Sequence, residues 1–215
     1  MSDTRLYLIT PPVIENMDAF AAEFEAVLKA AHGTPAQIAC LQIRLKKDNV
    51  PASDDRILEL ARKLLPLAHA HDCIILINDR ADLAKKSGAD GVHLGQEDGA
   101  VKAARDLLGQ EASIGVTCHN SRHLAMIAGE QGADYVAFGA FFPTDTKQAR
   151  TSASPDLIQW WVEATTLPCV AIGGVRPENA PPLIAAGADF LAVSSGLWQH
   201  PQGPKAAIKA FAALL

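Results

Sequence analysis

Eight short apolar runs punctuate the chain: "RLYLIT", "QIACLQIRL", "CIILIND", "GVHLG", "SIGVTC", "YVAFGA", "CVAIGG" and "FLAVSSG". Most are continuously apolar, not alternating, which marks strands buried on both faces as in a parallel sheet. The stretches between them carry apolar residues at helical spacing, such as Phe20, Phe24, Val27 and Leu28, or Ile57, Leu60, Ala61, Leu64 and Leu65. Helix starts are expected at Ser53-Asp54-Asp55, Asn120-Ser121, Ser154-Pro155 and Arg176-Pro177-Glu178, from capping side chains or a proline in the first turn. Eight strands alternating with helices in 215 residues predict an α/β fold, a single-domain (β/α)8 TIM barrel over residues 1–215. An open doubly wound sheet is the alternative, but no GxGxxG follows the first strand.

The triplet Gly-Ala-Asp recurs at Gly88, Gly132 and Gly187, spaced 44 and 55 residues apart, each time just before the fourth, sixth or eighth run. Glycine supplies a left-handed helix end, alanine packs, and aspartate fills the turn into the next strand. The repeat therefore reports architecture at the bottom of the barrel. Only the first copy, "GADGVHLGQED", ends in acid.

Composition narrows the function classes. A net charge of −5 and a pI near 5.8 argue against a broad nucleic-acid-binding face. No apolar run approaches the roughly 20 residues that span a bilayer, and the start "MSDTRLYLITPP" lacks the features of a secretory signal, so no membrane partner and a cytoplasmic location are expected. Cys40, Cys73, Cys118 and Cys169 are widely spaced within apolar runs and read as small buried hydrophobes, not as a zinc site or disulfide framework. Trp160 and Trp161 read as helix packing or an oligomer contact, and a homo-oligomer is one possible state.

In a barrel, function gathers just after the C-terminal ends of the strands. There the chain places Gln42, Arg44 and Lys46 after strand two, Asn78, Asp79 and Arg80 after strand three, and Gln96, Glu97 and Asp98 after strand four. Thr117 and His119 end strand five, "FFPTDTK" with Thr144, Thr146 and Lys147 follows strand six, and Gly173-Gly174 and Ser194-Ser195-Gly196 follow strands seven and eight. Glycines and amides after the last two strands can cradle a phosphate. Arg44, Lys46 and Lys147 offer cations, while Asp79 and Asp98 offer the hard oxygens that hold Mg²⁺ beside a substrate phosphate, unless they cap helices instead. His119 is placed for acid-base work or for packing, and His93, inside an apolar strand, reads as a satisfied interior residue.

Taken in order, "LQIRLK", "INDRADLA", "GADGVHLGQED", "GVTCHN", "FGAFFPTDTK", "AIGGVRPENA" and "LAVSSGL" make the chain resemble the thiamine-phosphate synthase family, from the first strand to about Leu197. The resemblance implies an enzyme that joins hydroxymethylpyrimidine diphosphate to thiazole phosphate, giving thiamine monophosphate and pyrophosphate. It places Gln42, Arg44, Lys46, Asn78, Thr117 and Lys147 around the pyrimidine diphosphate, and Asp79 and Asp98 on Mg²⁺. It gives Thr144, Thr146, Gly174, Ser194 and Ser195 to the thiazole phosphate. Leu45 stands where that family usually has glutamate, Thr117 where it usually has serine, and the first strand lacks its usual acidic ending. Two other readings share the phosphate site: a metal-independent thiazole tautomerase using His119, and a non-catalytic sensor of thiazole or thiamine phosphate.

Overall fold

Each apolar run becomes a strand in the computed structural model, which describes residues 3–143 and 152–215. The strands are β1 (Arg5–Ile9), β2 (Ile38–Ile43), β3 (Ile74–Asn78), β4 (Gly91–Leu94), β5 (Ser113–His119), β6 (Tyr135–Phe138), β7 (Cys169–Ala171) and β8 (Phe190–Val193). All neighbours are parallel, and β1 pairs with both β2 and β8, so the sheet closes into the expected barrel. Closure leaves no unpaired strand edge.

Around it lie α1 (Met17–Ala31), α2 (Asp54–His69), α3 (Ala81–Ser87), α4 (Val101–Leu108), α5 (Arg122–Glu130), α6 (Pro155–Ala164), α7 (Pro181–Ala185), α8 (Ser195–Trp198) and α9 (Pro204–Ala212). Local chemistry explains several starts. The Asn16 side chain accepts the Ala19 amide at α1, Ser121 accepts that of Leu124 at α5, and Pro155 opens α6 after Ser154. Phe20, Phe24, Val27 and Leu28 of α1, with Ile57, Leu60, Ala61 and Leu64 of α2, are buried in the main core. The segment from Arg176 departs from expectation, since Pro177–Asn179 is a single 3-10 turn and the α-helix starts only at Pro181. Pro181 and Pro182 lack the amides that a helix continuing from Pro177 would need.

One element was not foreseen. Lys46–Lys47 pairs antiparallel with Val50–Pro51, closed by Asp48 and Asn49 at φ 51° and 64°. These residue types tolerate the left-handed region that such a tight hairpin turn requires.

The Gly-Ala-Asp repeat has a sharper role than turn chemistry alone. Gly88, Gly132 and Gly187 are left-handed, at φ 73°, 87° and 90°. The aspartate that follows reaches back to the preceding strand: Asp90 accepts the Ile75 amide at 2.7 Å, Asp134 that of Ile114 at 2.6 Å, and Asp189 that of Cys169 at 2.8 Å. Each repeat thus staples the start of an even strand to the start of the odd strand before it. Asp134 also takes Arg105 at 2.6 Å, and Asp90 meets His69 at 3.0 Å.

Outside the barrel the core joins strands to helices, while a second core fills the barrel with Tyr7, Ile9, Cys40, Leu76, Tyr135, Ala137, Val170 and Ala192. The cysteines are buried and free, as expected, and burial pushes Cys73, Cys118 and Cys169 up to about 12. Trp161 is packing, buried with its indole N–H on the Leu167 carbonyl, and Trp160 lies under the Arg122 guanidinium. No described helix is long and apolar enough to cross a membrane.

Candidate active site

The strand ends bring part of the expected constellation into contact. Gln42, near the end of β2, donates from its side-chain amide to Asn78 Oδ1 at 2.6 Å. Next to Asn78, Asp79 receives the Lys46 ammonium at 2.8 Å from the small hairpin, with both side chains less than a quarter exposed. Asp98, from the loop after β4, closes its own turn by accepting the Gly95 amide at 3.0 Å. Asp98 is exposed as a residue, but its carboxyl meets that of Asp79, and its pKa is raised, first by partial desolvation of the carboxyl and then by this acid neighbour.

The aspartates therefore do not cap helices. Arg80 and Ala100 stand at the N-cap positions of α3 and α4, and neither start has a side-chain cap. Asp79 instead holds a left-handed backbone at φ 64°, and His119, at the mouth end of β5, does the same at φ 54°. Non-glycine residues in this region carry local strain, which clusters at working sites.

Two carboxylates in contact form a charge pair that a cation relieves. Mg²⁺ commonly takes one or two carboxylates and completes its shell with water and substrate phosphate. Asp79 and Asp98 fit that donor set, while the described residues contain no group of three or more His, Cys, Asp or Glu that could hold a metal by themselves. Arg44 is half-buried beside them. Burial lowers its pKa and Asp79 opposes that shift, but a guanidinium stays charged. Arg80 is spent elsewhere, forked onto Asp54 and Asp82 at 2.7–3.0 Å.

Thr10, which no sequence motif marks, links the two sides of the mouth. It is buried, its hydroxyl accepts the Arg44 amide at 2.9 Å, and its carbonyl accepts the Ser194 hydroxyl at 3.3 Å. Ser194 precedes α8, whose first residue is Ser195, and Trp198 anchors α8 by donating to the Ile9 carbonyl at 2.7 Å. A Cβ at Gly196 would strike the Val175 carbonyl, and one at Gly174 would strike Pro143. The loops after β6, β7 and β8 therefore abut backbone to backbone, the close approach that an amide cradle for phosphate needs. Thr144, Thr146 and Lys147 lie outside the described residues.

Beneath the mouth runs a second feature missed in sequence. Tyr7 donates to Gln42 Oε1 at 2.9 Å and lies 3.0 Å from the Tyr135 hydroxyl, which lies 3.0 Å from His93 Nδ1. His93 Nε2 is 2.8 Å from the Thr117 hydroxyl. His93 is thus the satisfied interior residue expected. The signal for the tyrosines was present: the chain has two, each within an apolar strand, and a buried phenol needs a partner.

The chain is also similar to known proteins. The family model described as thiamine monophosphate synthase matches residues 6–197. A thiamine-phosphate synthase of Rhodospirillum centenum is 54% identical over 211 residues, covering 98% of this chain and 97% of the relative. One from Hyphomonas neptunium is 51% identical, over 98% and 93% of the two chains. Among solved structures, a thiamine phosphate pyrophosphorylase from Pyrococcus furiosus superposes with a TM-score of 0.79 at 29% identity, over 99% of this chain and 96% of that one.

Proposed function

The chain belongs to the thiamine monophosphate synthase family and is a transferase of thiamine biosynthesis, and from that premise we propose how its barrel mouth divides the work. One side receives hydroxymethylpyrimidine diphosphate, the other thiazole phosphate. The carbon–oxygen bond between the pyrimidine methylene and diphosphate breaks, and its electron pair leaves with diphosphate. The thiazole nitrogen then donates its lone pair to the methylene carbon, giving thiamine monophosphate.

The observation that carries this division is the Lys46–Asp79–Asp98 cluster beside the Gln42–Asn78 pair. Lys46 and Arg44 supply fixed positive charge where the departing diphosphate gains negative charge, and pre-set charge of this kind lowers a barrier without reorganisation. Asp79 and Asp98 would hold Mg²⁺, which would supply further neutralisation of that leaving group. Gln42, Asn78 and Thr117 orient the pyrimidine ring. Gly174, Ser194 and Ser195 hold the thiazole phosphate, so the nucleophilic nitrogen waits in line with the breaking bond. Thr144, Thr146 and Lys147 complete these two sets by sequence position.

Purified protein is incubated with both substrates, with and without Mg²⁺, and pyrophosphate and thiamine monophosphate are followed. Formation of both only with Mg²⁺ is expected. Binding of thiazole phosphate with neither product would make the chain a sensor, and metal-free isomerisation of a carboxythiazole phosphate would make it a tautomerase.

A further inference from the structure

Six side chains from six strands form one continuous hydrogen-bonded chain inside the barrel. In order they are Asn78, Gln42, Tyr7, Tyr135, His93 and Thr117, with each link between 2.6 and 3.0 Å. The inner four are at most 8% exposed, whereas Asn78 and Thr117, the two ends, are half-buried at the mouth. Burial raises both tyrosine hydroxyls well above their ordinary pKa, so each keeps its single proton and can donate only once.

That limit gives the chain a direction. Gln42 presents Oε1 to Tyr7, so the Tyr7 proton is committed to Gln42, and Tyr7 must accept from Tyr135. Tyr135, having donated, must accept from His93, which places the His93 proton on Nδ1. In a neutral imidazole His93 Nε2 is then an acceptor, and it takes the Thr117 proton. At the far end, Gln42 donates to Asn78 Oδ1, leaving the Asn78 NH₂ as the donor at that end. With one proton on the imidazole, reversing any one link would require reversing every other, including the Gln42 amide.

We infer that Tyr7, Tyr135 and His93 are positioning residues for the pyrimidine substrate: their chain of fixed polarity presents a donor at Asn78 and a lone-pair acceptor at Thr117. This rests on the pyrimidine site proposed above. An aminopyrimidine edge is the complement of such a pair, since its ring nitrogens accept and its amino group donates. Asn78 and Thr117 flank β4, which supplies His93, so the ring would lie over the strand whose histidine sets the polarity. The structure also makes room for the central link. A Cβ on Gly115 would enter the Tyr135 ring, so glycine there lets the phenol reach His93.

The test uses the whole protein labelled with ¹⁵N-histidine, its His93 signals assigned with His93→Gln. Nuclear magnetic resonance of the imidazole nitrogens without substrates should show His93 neutral, protonated on Nδ1 and bare on Nε2. Tyr135→Phe keeps the ring but removes the link. It should mix the His93 tautomers and raise KM for the pyrimidine diphosphate about tenfold, with KM for thiazole phosphate within about twofold. Tyr7→Phe breaks the neighbouring link and should move the same KM, which provides a second measurement if Tyr135→Phe does not fold. A His93 proton on Nε2 in the unaltered protein would overturn the inferred polarity, and an unchanged pyrimidine KM in the folded variants would overturn the positioning role. Absence of turnover in the unaltered protein would overturn the site reading instead, while the tautomer would still decide the chain's direction.

Discussion

Lys46 Nζ lies 2.8 Å from Asp79 Oδ2, and this contact ties the hairpin after β2 to the strained residue that follows β3. The pair is partly exposed, so its contribution to stability is small. Its value lies in placing a cation and a carboxylate side by side at the mouth. Lys46→Met should therefore lower kcat by about 10²-fold, the range for losing one group that stabilises developing charge, with little change in Tm. Steady-state kinetics and a thermal melt on the same preparation check this. Undiminished kcat would remove Lys46 from the diphosphate site.

Asp98 gives a prediction with a sign in pH. Partial desolvation and the neighbouring Asp79 carboxyl raise its pKa, so the folded chain keeps this proton to higher pH than the unfolded chain. The associated stability is present at acid pH and is lost as pH rises through the folded value. Asp98→Asn should thus raise the metal-free Tm at neutral pH by roughly 1–2 °C, and much less near pH 4, because the repelling charge is gone. Mg²⁺ should raise the Tm of the unaltered protein, and the same variant should lose that increase. An undiminished Mg²⁺ shift would take Asp98 out of the metal site.

The aspartate staples act on stability alone. Asp134 holds the Ile114 amide and Arg105 from the face opposite the mouth. Asp134→Ala leaves a strand amide without its partner, which should cost about 1–3 kcal/mol, or about 2–4 °C of Tm for each kcal/mol. Both KM values should stay within about twofold. Urea denaturation with parallel kinetics checks this, and a large KM change would show that the staple also shapes the mouth.

The fold was legible because its signals are local. Continuous apolar runs and glycine at left-handed helix ends need no knowledge of distant residues, and they located every barrel strand. Asp79, Asp98, Lys46, Gln42 and Asn78 could be named because a barrel gathers its strand ends on one face. Three things stayed hidden for a common reason. Thr10 works through its hydroxyl and carbonyl, joining residues 34 and 184 positions away. Tyr7 and Tyr135 meet across 128 positions inside the barrel. Such pairings depend on register and barrel closure, which no window of sequence contains. The helix start expected at Arg176 is present but makes only a 3-10 turn, since Pro181 and Pro182 keep it from continuing as one α-helix.

Leu45 allows the last prediction. In sequence it replaces the family's more usual glutamate between Arg44 and Lys46, which suggests a lost charge at the mouth. In the structure it is 5% exposed within the main core, and its carbonyl accepts the Ala52 amide at 2.8 Å. The alternation of the strand end explains this: Arg44 and Lys46 are half-buried toward the mouth, and the residue between them is turned into the core. Leu45→Glu should therefore not increase activity. It removes buried apolar surface and brings a carboxylate into its place, so it should destabilise the protein by about 1–3 kcal/mol with kcat within about twofold. Denaturant unfolding and kinetics on the variant decide the matter. A tenfold gain in kcat at unchanged stability would place position 45 in the diphosphate site and assign this chain's departure from its family to catalysis instead of packing.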